Sequence, residues 1–84
     1  MKNSSEISPE VLFEVIENQM RDNTPPETRQ TYDRLLAEGH SREEAMKLIG
    51  RAVASEIFDV LKSGKPYNEQ RFITALQALP KLPF

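Results

Sequence analysis

The 84-residue sequence predicts an all-α fold, a four-helix bundle-like domain with a long third helix at its centre. Three observations predict it. Apolar residues recur at helical spacing in successive stretches, and no stretch alternates with period two. Helix-start signals (a capping side chain followed by Pro, or by Glu three places on) stand before those stretches. Ser41 to Ser63 reads as one unbroken helix. At about 1.5 Å per residue it runs some 32 Å, and a compact domain of this size is only about 30 Å across. Such a helix crosses the molecule, and the other elements must pack around it.

The first helix is expected over about 9–21, with Ser8 as cap and Pro9 in the first helical position, where its missing N–H costs nothing. Its apolar set is Val11, Leu12, Phe13, Val15, Ile16 and Met20. The second, about 25–38, starts from Thr24-Pro25-Pro26-Glu27, read as a Thr24 cap, Pro25 in the first position and a capping box closed by Glu27. It carries Tyr32, Leu35 and Leu36 and stops at Gly39, which suits a left-handed position. Ser41 and Glu44 form the capping box of the third helix, about 42–62, which Ser63-Gly64 ends. Lys62 and Lys65 sit at its negative end. Asn68 caps the fourth, about 69–79, whose apolar face is Phe72, Ile73, Ala75, Leu76 and Leu79, and Pro80 ends it. Residues 1–7 are polar and expected to be flexible, residues 8–80 to form one domain, and residues 81–84 to be an extended tail.

Composition limits the function classes. Hydrophobic residues make up 38% and charged residues 29%, enough for one small core. There is no cysteine, which removes disulfides, thiolate metal sites and cysteine nucleophiles. A net charge of −2 with interspersed signs argues against nucleic-acid binding, which calls for a basic stripe. No apolar run approaches the roughly 18–20 residues that span a bilayer, and the first residues lack the apolar core of a secretion signal. A cytoplasmic protein is the expectation.

Two faces of the long helix carry the functional interest. Ala45, Met46, Ile49, Ala52, Val53, Ile57 and Val60 share its core arc, and Glu56 falls among them. On the first helix, Gln19 projects on the apolar side between Leu12, Val15 and Ile16. A buried polar group without a partner costs on the order of 1–3 kcal/mol, and an unpaired charge costs more. Gln19 and Glu56 therefore require partners: each other, Arg29, Tyr32, water or a ligand. Either they form a structural hydrogen-bond pair or lie at the edge of the domain, or Gln19, Glu56 and Tyr32 make a polar site inside the bundle. Away from this arc, Ala54, Phe58 and Leu61 follow i, i+4, i+7 spacing. Three readings account for this second stripe: the other helices surround the third, the Leu82–Phe84 tail folds back over Phe58, or the stripe is a homodimer or partner interface.

Catalytic chemistry does not stand out. Nucleophilic catalysis requires a nucleophile, a base and an orienting group, and His40 is the sole histidine. It lies in the tight link between the second and third helices, and no metal-ligand set accompanies it. No cofactor is implied. Gly50, in mid-helix, costs about 1 kcal/mol relative to alanine, which suggests a close approach by the first or fourth helix. Residues 35–45 are similar to the first turn of ubiquitin-associated domains, but the helix that follows is too long. Residues 42–50 resemble the first helix of a helix-turn-helix, but the turn is missing.

A wider resemblance covers residues 8–80. It is carried by Ile16-Glu17-Asn18-Gln19, by Asn23-Thr24-Pro25-Pro26-Glu27 running on to Leu35-Leu36-Ala37-Glu38-Gly39, and by Tyr67 to Leu79. Together these resemble a family of small bacterial helical proteins known only as a domain of unknown function. The resemblance implies a helical fold and no particular activity. Its histidine positions correspond here to Phe13, Glu43 and Lys47, which argues against a metal role, whereas Gln19 matches. The sequence thus points to a non-enzymatic interaction or assembly module that self-associates. The alternative is a ligand- or metal-binding helical protein with a polar site inside the bundle.

Overall fold

The computed structural model describes residues 9–82, and among them the chain forms four helices: α1 (Pro9–Asp22), α2 (Pro26–Ala37), α3 (Arg42–Ser63) and α4 (Glu69–Ala78). The expected Ser8 cap, the flexible terminus over residues 1–7 and the last two residues of the tail lie outside the described residues.

The caps explain the boundaries. Ser41 accepts a hydrogen bond from the Glu44 N–H at 3.1 Å, and the Glu44 carboxylate accepts one from the Ser41 N–H at 3.0 Å. This capping box starts α3 where expected. Gly64 ends α3 with φ of +70° and donates its N–H to the Val60 carbonyl. The start of α2 departs from expectation. Pro25 takes the cap position without a side-chain bond and Pro26 the first turn, while the Thr24 hydroxyl turns back to donate to the Asp22 carbonyl at 3.0 Å. Either of two consecutive prolines fits the first turn, and the backbone here uses the second.

α3 touches α1, α2 and α4, as a central helix must. α2 also touches the other three, whereas the α1 and α4 backbones do not approach each other closely among the described residues. The centre is therefore the α2–α3 pair, with α1 and α4 packed against both. The buried core takes Ile16 from α1, Leu35 from α2, Ala45, Ile49, Ala52 and Val53 from α3, and Phe72 and Leu76 from α4, with Leu79 just beyond. Met46, Ile57 and Val60, expected inside, are only partly buried. α2 adds two buried threonines, Thr28 and Thr31, on the same side as Leu35. At about 33 Å, α3 nearly matches the longest dimension of the 37 × 30 × 26 Å molecule.

The other helices do not enclose α3. Phe58 is 58% exposed and Leu61 71% exposed, so the second stripe faces outward. Leu82, the last described residue of the tail, is itself 38% exposed.

Gly50 is buried against α1, and a methyl group added there would stand 4.0 Å from both Ile16 Cδ1 and Leu12 Cδ1. That is ordinary contact, so α1 approaches closely without requiring glycine. Gly50→Ala is expected to raise stability by about 0.5–1 kcal/mol, because it removes a helix-interior glycine without a clash. Gly64→Ala is expected to do the opposite, at a cost of about 1 kcal/mol, because the left-handed cap penalises a Cβ. Urea unfolding of both variants checks the opposed signs.

Candidate functional site

Glu56 sits on α3 facing the first turn of α4, with only 5% of its surface exposed. Its carboxylate is fully engaged. Arg71 donates from Nε to Oε1 at 2.9 Å and from Nη2 to Oε2 at 2.8 Å, a two-pronged pairing. The Asn68 N–H donates to Oε2 at 2.9 Å. Asn68 in turn uses its side-chain Oδ1 to accept the Arg71 N–H at 3.0 Å. One carboxylate from α3 and one amide from the loop thus satisfy two of the orphan N–H groups that open α4. The negative charge also lies at the favourable end of the α4 dipole.

The hydrogen bond from Arg71 holds the Glu56 carboxyl below its ordinary value; burial opposes this, and the Asn68 N–H and the guanidinium charge add to the lowering. Asp59 flanks the same guanidinium, 3.5 Å from Nε. The hydrogen bond to Glu56 raises the pKa of Arg71 in return.

Gln19 has a different partner. Its Oε1 accepts from the Thr28 hydroxyl at 2.8 Å, tying α1 to α2. The expected partners are therefore corrected: Gln19 and Glu56 do not bond each other, and Arg29 pairs with Asp33 at 3.2 Å along α2. Gln19 and Glu56 nonetheless line one half-open pocket of about 190 Å³, walled by Val15, Val53, Ile57, Tyr67 and Phe72. Tyr32 does not line that cavity; it packs half-buried against the core. The wall residue that the sequence reading missed is Tyr67, whose ring lies 6.2 Å from that of Phe72 at a tilt of 55°. Burial, then the nearby Glu69 and Glu56 carboxylates, push the Tyr67 hydroxyl above its ordinary pKa.

Arg71 was also missed as the partner of Glu56. A local signal existed, since a basic residue three places after the Asn68 cap projects back past the start of its own helix. Thr28 could have been found from its spacing with Thr31 and Leu35, which marks one inward stripe on α2.

No group of three or more His, Asp or Glu side chains is placed to hold a metal among the described residues. His40 Nδ1 lies 3.7 Å from Glu44 Oε1, beside the α3 cap. At the positions where the resemblance would place histidines, Phe13 packs against the core and Glu43 pairs with Lys47 at 3.3 Å.

The outer face of α3 carries different chemistry. Beside the Ala54-Phe58-Leu61 stripe, the start of α1 and the middle of α3 leave an open groove of about 360 Å³. Leu12, Phe13, Gly50, Arg51 and Ala54 line it. Ala54 belongs to both groove and stripe, so the two form one continuous apolar surface.

No family model, curated protein or solved structure matches the chain. No helix among the described residues is long and apolar enough to cross a membrane.

The lowered pKa of Glu56 fixes a pH dependence. A carboxyl lowered in the folded state stabilises it above the unfolded value, near 4.5, and that contribution is lost as pH falls through the lower folded value. Glu56→Gln is expected to cost roughly 1–3 kcal/mol at neutral pH, through weakened bonds to Arg71 and the Asn68 N–H. The gap between wild type and variant should close as the pH drops below that range, as measured by urea unfolding at a series of pH values.

Proposed function

We propose that this protein is a non-enzymatic interaction and assembly module that self-associates through the outer face of α3. The observation that carries this reading is the exposure of Phe58 and Leu61 in register with Ala54 on an otherwise well-capped helix, beside an apolar groove. Burying a phenylalanine side chain is worth about 1.5–3 kcal/mol, and large exposed apolar side chains that adjoin an apolar groove mark interaction surfaces. The full engagement of Glu56 by Arg71 and Asn68 supports a structural role for that carboxylate. A cytoplasmic location fits the cysteine-free composition.

A second reading rests on the cavity shared by Gln19 and Glu56. Apolar walls with two polar groups are the usual make-up of a small-ligand site, although about 190 Å³ is below the common range of roughly 300–1,000 Å³. A ligand there would be small and mostly apolar, with a hydrogen-bonding group directed to the Gln19 amide.

Light scattering after size exclusion tests the leading reading. Wild type is expected to run as a dimer at micromolar concentration. Phe58→Glu is expected to be monomeric, with dimer affinity reduced at least about 100-fold, in keeping with a charge buried at an apolar contact. A wild-type monomer unaffected by Phe58→Glu overturns it. Thermal-shift screening with small apolar alcohols and amides tests the second reading, which predicts a stabilisation that a Val53→Phe cavity-filling variant abolishes.

A further inference from the structure

The outer face of α3 has a sequence symmetry about Ala54. Phe58, a protruding ring, and Gly50, in the floor of the groove, lie equally far from Ala54 on opposite sides. Leu61 and Lys47 are likewise equidistant from it. A knob and a hole placed symmetrically about one point are what a self-complementary two-fold contact requires, because each copy then gives its knob to the other's hole.

Building on the self-association reading, we propose that the occupant of the groove is a second copy of this chain. In the pair, two α3 helices cross antiparallel at Ala54, and Phe58 of each copy enters the groove of the other beside Gly50. The groove, at about 360 Å³, has room for a phenyl ring, and Leu12 and Phe13 supply its apolar wall. Ala54 at the crossing lets the backbones approach. Leu61 of each copy would meet the aliphatic stem of Lys47 in the other, which keeps its ammonium in solvent.

Charge distribution selects the antiparallel sense. The first turn of α3 carries Glu43 and Glu44 beside Arg42, its last turn carries Lys62, and Lys65 follows in the loop beyond the left-handed Gly64. An antiparallel pair sets the acidic start of each copy beside the basic end of the other and aligns the helix dipoles favourably. A parallel pair would set like charges together. A register displaced so that Phe58 crossed Phe58 would leave the grooves empty.

The absence of native cysteine allows a direct test with single-cysteine variants of the full chain. Helices crossing at 8–10 Å bring facing Cα atoms to about 4–6 Å, within disulfide range. Ala54→Cys is therefore expected to form a cross-linked dimer under mild oxidation at least about 10-fold faster than Thr74→Cys on α4. As a second measurement, Glu43→Lys is expected to weaken association several-fold, and Glu43→Lys combined with Lys65→Glu to restore it. A wild-type dimer in which Ala54→Cys cross-links no faster than Thr74→Cys, or in which Phe58→Cys cross-links fastest, overturns the Ala54 register and leaves self-association standing. A monomeric wild type in which no variant cross-links overturns both.

Discussion

The Glu56 carboxylate is the constraint on which the arrangement of α4 depends. α4 has 10 residues, has no close backbone approach to α1 among the described residues, and follows a loop that is exposed along its length. Its apolar face alone would allow it to slide along α3. The bonds from Asn68 and Arg71 fix its N-terminal end against one point of the long helix. At the far end, Arg34 of α2 donates to the Leu76 carbonyl at 3.2 Å, an acceptor that also takes the Leu79 N–H. α4 is thus fixed to α3 at its start and to α2 at its finish, and Phe72 and Leu76 fill the core between these attachments.

A charge in an apolar arc would be a serious cost if unpaired. Here the guanidinium arrives from solvent, since the Arg71 side chain is 45% exposed, while the carboxylate stays inside. This geometry spares the protein from desolvating both partners, which is the main weakness of deeply buried pairs. Gln19 obeys the same rule between α1 and α2 through a neutral bond to Thr28. The polar residues of the core arcs therefore act as ties between helices that apolar packing would leave free to shift. Glu56 and Gln19 also set the polarity of a small cavity beside Tyr67 and Phe72.

Much of this was legible in the sequence, for a physical reason. Caps act through the backbone of the next three or four residues, so Ser41 with Glu44, Gly64 and Asn68 located helix ends to within about one residue. Thr24 misled because two prolines follow it, and local chemistry does not choose between them. The inward position of Glu56 and Gln19 followed from helical periodicity, and so did the outward position of Phe58. Their partners did not. Arg71 reaches Glu56 only once the 64–68 connection has folded α4 back onto α3, and Thr28 reaches Gln19 only across the α1–α2 turn. Tyr32 illustrates the same limit, because its placement on α2 was readable but its distance from the Glu56 cavity was not. The exposure of Phe58 and Leu61 likewise depended on where α1 and α4 came to rest.

The long helix consequently has two uses. Its inner face is closed by packing and by the Glu56 tie, and its outer face stays open beside the α1 groove. The central claim is that Glu56 serves as this tie, acting through Arg71. A double-mutant cycle with Glu56→Gln and Arg71→Met, read by urea unfolding at neutral pH, tests it most directly. The account predicts strong non-additivity, with the double variant little less stable than the weaker single variant. Simple additivity of the two losses would contradict it.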